Sequence, residues 1–144
     1  MTQTNNLKSD QSQYFRFQVF QGEVNDQGKL EKTKTVGMSY LKDGQNIYTL
    51  RLWTFLNERF YIISNKNDPS KYLILTREPN KNPLSKNKYF WNIVGNGTAD
   101  SSLGVITLNF DLFEKPIFMN MFPESSAFST SLPDPVELTL VNAA

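Results

Sequence analysis

Arg51, Trp53 and Phe55 alternate along one run of the chain, and Arg59 and Tyr61 follow on alternate positions of the next. In an extended chain alternate residues share a face, so these side chains are expected to form one surface of cations beside aromatic rings. Further on, Lys81, Lys86 and Lys88 run straight into Tyr89, Phe90 and Trp91. Such a surface can hold single-stranded nucleic acid. Bases stack on the rings for roughly 1–3 kcal/mol each, while cations track the phosphates. The nucleic-acid-binding candidates are therefore Arg51, Trp53, Arg59, Tyr61, Lys81, Lys86, Lys88, Tyr89 and Trp91. Two other uses compete for the same rings. Trp53, Phe55 and Trp91 could fill the second face of a β-sandwich; if exposed, they equally suit a protein interface, where Trp, Tyr and Arg dominate the energetics. An adaptor or inhibitor could also dock a basic partner through Asp100, Asp111, Glu114 and Glu124.

Catalytic chemistry has little to work with. The chain has no Cys and no His, which removes the thiol nucleophile, the commonest general base and the commonest metal ligand. A carboxylate pair could be drawn from Asp43, Glu58, Asp100 and Asp111, but Asp43 and Asp100 fall in turns, where Asp is favoured for backbone reasons. Ser39 and Lys42 have S-x-x-K spacing on an extended segment, not on the helix that such a pair needs. Gly95-Asn96-Gly97 lacks the later glycine and the helix N-terminus of a phosphate cradle. A non-enzymatic protein without cofactor or metal is the expectation.

The elements that must position these residues are short strands. Residues 14–20 alternate with Phe15, Phe17 and Val19 on one side. Residues 32–41 form a second strand, and Asp43-Gly44 supplies a tight hairpin turn. Residues 47–55 return with Tyr48, Leu50 and Leu52 facing one way and Thr49, Arg51, Trp53 and Phe55 the other; residues 59–65 make a fourth strand. Sliding the chain by 58 positions lays Val36, Gly37, Thr49, Leu50, Phe55 and Phe60 on Val94, Gly95, Thr107, Leu108, Phe113 and Phe118. Lys8, Asp10, Ser12 and Tyr14 likewise meet Lys66, Asp68, Ser70 and Tyr72, giving 10 identities without a gap. The shift predicts two four-strand units of about residues 8–65 and 66–123, an internal duplication. In the second unit, strands are expected at 72–77, 89–94, 105–113 and 117–122, with 78–88 a basic loop and 95–104 a turn. No segment has ten residues of helical period. The fold expected is all-β: a single-domain barrel or two-sheet sandwich. It spans 14–123, with a mobile polar arm at 1–13 and an acidic tail at 124–144 carrying an edge strand at 136–141.

The pattern Val36-Gly37, Tyr40, Gly44, Tyr48, Leu50, Leu52, repeated as Val94-Gly95, Gly104, Ile106, Leu108, Phe110, resembles a family of small uncharacterised β-proteins. Those are carried on conjugative plasmids and integrated mobile elements of proteobacteria. The resemblance covers about half of the chain and implies a bacterial mobile-element accessory protein; it carries over no site residue.

Charge is uneven although the net is only +1. Residues 51–91 hold eight basic and three acidic groups, and residues 92–144 hold one basic and six acidic. The small net charge opposes a strongly basic nucleic-acid binder, and a basic middle with an acidic end equally suits two halves of one barrel that complement each other. At 144 residues a single core can bury roughly 70% of the unfolded surface. The polar start has no secretory pattern and no run is long enough to span a bilayer, so a cytoplasmic, membrane-free protein is expected. A duplicated chain already supplies what two subunits would, which favours a monomer.

Overall fold

The computed structural model describes residues 13–124 and the backbone of Phe128–Ser129. Eight strands follow one another up and down: β1 (Tyr14–Val24), β2 (Leu30–Lys42), β3 (Ile47–Leu52), β4 (Phe60–Ser64), β5 (Lys71–Pro79), β6 (Tyr89–Asp100), β7 (Val105–Phe110) and β8 (Ile117–Asn120). Each pairs antiparallel with the next, and β8 returns to β1 through Val19↔Met119 and Phe20↔Phe118. The sheet is thus a closed eight-stranded barrel, which decides between barrel and sandwich and leaves the eight strands without a free edge. A ninth strand, β9 (Phe128–Ser129), pairs with the first two residues of β1.

Alternation sets the core. Phe17, Val19, Leu50, Leu52, Phe60, Ile62, Ile74, Ile106, Leu108, Phe110, Ile117 and Met119 are buried together inside the barrel. The wide ring of Phe60 meets Phe110 edge-on with centroids 5.2 Å apart. A smaller cluster of Phe20, Val105 and Phe118, capped by Leu30 and Leu103, packs on the outside where β7, β8 and β1 meet.

Two Val-Gly steps shape one end of the barrel. Val19 pairs with Gly37 and Phe20 with Thr35, so Val36 is an extra residue in β2; Ile74 pairs with Gly95 and Leu75 with Ile93, so Val94 is an extra residue in β6. Each is a β-bulge, which twists its strand and redirects what lies beyond. Glycine follows because β3 and β7 lie so close: a Cβ at Gly37 would overlap the carbonyl oxygen of Arg51, and one at Gly95 that of Asn109. Past the bulges, the β1–β2 and β5–β6 hairpins extend beyond the barrel from the same end, as two arms.

The 58-residue shift holds in space only for the hairpins that carry these bulges. Gly37↔Leu52 and Gly95↔Phe110 are equivalent pairs, as are Tyr40↔Thr49 and Thr98↔Thr107. Elsewhere the ungapped register fails. Phe60 lies inside the barrel while Phe118 packs outside. Tyr72 packs against the core, whereas Tyr14 sits on the outward parity of β1, whose Phe15, Phe17 and Val19 face in. Equivalence needs a shift of 57 at β4/β8 and 55 at β1/β5, since Ile62↔Ile74 corresponds to Met119↔Val19. Lys8, Asp10, Ser12, the arm expected at 1–13 (apart from Gln13) and the edge strand expected at 136–141 lie outside the described residues. The proposed duplication therefore rests on the central hairpin and its bulge.

Several strand limits also differ from expectation. Residues 95–100 continue β6 and are not a turn, because their glycines serve close strand contact and not reversal. β3 ends at Leu52 and the chain enters a 3-10 turn at Trp53–Phe55. β7 and β8 end at Phe110 and Asn120, earlier than alternation suggests.

Candidate nucleic-acid interface

The outer wall carries a cross-strand row: Arg16↔Tyr40, Tyr40↔Thr49, Thr49↔Tyr61, Tyr61↔Leu75 and Leu75↔Ile93 are successive partners. Below it Ile47 pairs with Ile63. Above it, on the β5–β6 arm, Arg77 pairs with Trp91 and Pro79 with Tyr89. Hairpin pairing brings these outward-facing residues together although they lie far apart in the chain.

Arg77 is the centre. Its guanidinium carbon lies 4.1 Å from the Tyr89 ring centroid, 5.0 Å from that of Tyr61 and 5.7 Å from that of Trp91. Tyr61 and Trp91 meet edge-on at 5.4 Å. An arginine on aromatic faces gains a cation–π attraction while the edge of its planar fork stays open to acceptors. Among the described residues Arg77 has no ion pair. Trp91 is 50% exposed and Phe90, on the other face of the ribbon, 53%. Beside Trp91, the side chains of Ile47, Tyr61, Ile63 and Leu75 line a shallow apolar groove of about 290 Å³.

The loop that closes this arm is braced by its own asparagines. Asn80 N donates to Lys88 O at 2.8 Å, Asn82 N to Asn80 Oδ1 at 3.0 Å and Leu84 N to Asn82 Oδ1 at 3.0 Å. These side-chain turns hold Lys81, Lys86 and Lys88 in solvent around Leu84 at the tip.

The expected set therefore divides. Tyr61, Tyr89 and Trp91 come together, with Lys81, Lys86 and Lys88 on the same arm. Arg51 does not join them: it points outward from β3 beside Met38 and is only 6% exposed, so it cannot present its guanidinium to a phosphate. Trp53 is half-buried in the 3-10 turn, and Phe55 turns back to stack on Phe113 at 6.3 Å. The face expected of Arg51, Trp53 and Phe55 thus does not exist, because the strand ends before the alternation does. Arg59 is exposed just ahead of β4 but is not among the groups around Arg77. Arg77 was missed. A hairpin folded about Leu84 puts residue 77 opposite residue 91, and that symmetry was the available signal.

The acidic alternatives are scattered. Asp100 accepts bonds from Ser102 Oγ at 2.6 Å, Ser102 N at 3.1 Å and Leu103 N at 3.2 Å. The Ser102 hydroxyl, then the Leu103 amide, lowers its pKa from the usual carboxylate range. It is a turn-former. Asp111 and Glu114 are exposed on the β7–β8 connection, and Glu124 lies beside β1, its N donating to Arg16 O at 2.9 Å. Tyr40, 1% exposed on the same outer wall, has its pKa raised by burial against the opposing pull of Arg16 and Arg51. Among the described residues no three carboxylates converge to hold a metal ion, and no helix is long and apolar enough to cross a membrane. Comparison with known proteins yields no family model, no curated protein and no solved structure that matches this chain.

Proposed function

We propose that this protein is a non-enzymatic binding module for single-stranded nucleic acid, and that the β5–β6 arm is its contact element. The observation that carries the reading is Arg77 set among Tyr61, Tyr89 and Trp91 on a ribbon whose loop holds Lys81, Lys86 and Lys88. Bases stack on Trp91 and Tyr89, and the four cations follow the phosphates. The groove beside Trp91 has an apolar lining, so it offers stacking and contact area without reading base edges. Binding is then tolerant of sequence. On the family resemblance of the Val-Gly hairpins, the chain acts as an accessory protein of a mobile element.

The test is a fluorescence titration with a dT20 strand in a Trp53→Phe background, which leaves Trp91 as reporter. Saturable quenching is expected, with an affinity falling as roughly the third power of salt, since each of four phosphate contacts contributes about 0.7 to the log–log slope. No quenching at low salt would refute the reading. One observation favours a second reading: Ile47 and Ile63 extend the face with aliphatic side chains that do not stack on bases. A protein-binding adaptor would use them, and its complex would survive moderate salt.

A further inference from the structure

The barrel end from which both arms project has its own cleft, on the rim away from the β5–β6 arm. It lies between the β1–β2 arm and the β7–β8 connection, is half open to solvent with a volume of about 650 Å³, and has Leu52, Phe55, Phe113 and Ile117 in its lining beside the polar Thr33 and Thr54. Volumes of a few hundred Å³ are those of small-molecule sites, in which polar groups fix orientation, and barrel mouths are a preferred place for them. Phe55 and Phe113 lie nearly parallel, at 14°. The pair is packed on one side against the core and half-buried, so its remaining ring surface is the aromatic part of the cleft lining.

The rim decides the charge of what fits. Glu23 and Lys115 line the cleft and face each other at 3.7 Å, cancelling one another. Glu114 also lines it and has no ion pair among the described residues. An anion would have to break the existing pair and approach a carboxylate; a cation meets one uncompensated negative charge. We propose that this cleft binds a small organic cation, with its flat apolar body against Phe55 and Phe113 and its ammonium head at Glu114. The site is independent of the nucleic-acid reading.

The experiment is an amide NMR titration of the full chain with tryptamine and, separately, with indole-3-acetate, which has the same ring and the opposite head. Tryptamine should move the resonances of residues 52–55 and 112–117 in a saturable way. A Kd on the order of millimolar is expected for a ligand of this size. Indole-3-acetate should bind at least roughly fivefold more weakly, the worth of one exposed charge at about 4 Å in water. The surface change Glu114→Gln should remove most of that difference without altering the fold. Phe113→Leu should weaken both ligands. Equal affinity for the two heads would overturn the assignment, as would shifts centred on Trp91 or no shift from either compound.

Discussion

The outer row of the barrel has two halves with opposite fates. On β1–β3 it runs through Arg16, Tyr40 and Thr49, and Tyr40 is 1% exposed. On β4–β6 it runs through Tyr61, Leu75 and Ile93, and Ile93 is 63% exposed. Both halves are built on a hairpin with the same Val-Gly bulge, and both present aromatic and cationic residues. Around the first half, Glu124 N bonds Arg16 O, β9 pairs with Tyr14 and Phe15, and the charges of Arg16, Arg51 and Glu124 act on the buried Tyr40 hydroxyl. Exposure of an outward residue on a barrel is therefore not a property of its strand. The same residue types are buried in one half and exposed in the other.

The comparison can be broken most forcefully at the bulges. Gly37→Ala and Gly95→Ala should each cost about 3 kcal/mol, since a Cβ forced against a strand carbonyl has to move backbone. The two should agree within about 1 kcal/mol by urea unfolding. A loss confined to one would end the equivalence of the hairpins. Next come the two ends of the outer row. Tyr40→Ala should destabilise by about 3 kcal/mol, as for other large buried rings. Trp91→Ala should change stability by no more than about 1 kcal/mol while weakening dT20 binding by about 1–3 kcal/mol. Equal stability losses would mean that Trp91 is packing and not platform.

A finer effect separates the arm's cations from the acidic turns. Lys86→Ala with Lys88→Ala should lower the log–log salt slope by about 1.4 for two lost phosphate contacts and leave the unfolding midpoint unchanged. The smallest effect is on acid stability. Asp68 and Asp100 have pKa values lowered chiefly by the hydroxyls of Ser70 and Ser102. A depressed folded pKa gives stability that is present above the unfolded value of about 3.9 and lost as pH falls through the folded one. Urea midpoints should thus decline below about pH 4, and Asp68→Asn with Asp100→Asn should flatten that decline. An unchanged acid limb would show that these turns do not contribute to it.

Much of the barrel was legible because burial on one face imposes alternation. Phe15, Phe17 and Val19, then Tyr48, Leu50 and Leu52, then Ile106, Leu108 and Phe110 face inward as their spacing required. Asp43-Gly44 read correctly as a reversal, and Gly44 has the positive φ, 81°, that such a turn uses. The same logic misread residues 95–100, where glycine answers to a neighbouring strand and not to a turn. It also carried β3 past Leu52, because Trp53 and Phe55 continue the alternation after the backbone has already turned.

By itself, the sequence determined an all-β chain, its inward faces, the Val-Gly hairpins and the basic, aromatic character of the stretch that became the β5–β6 arm. These follow from period, turn chemistry and composition, all of which act between neighbours in the chain. Only the tertiary structure decided that the sheet closes through β1 and β8, that Arg51 is buried while Arg77 gathers three rings, and that Phe55 and Phe113 line a cleft. Those outcomes depend on which strands meet and on what covers their outer face. Pairings between residues distant in sequence fix both, and no local pattern encodes them.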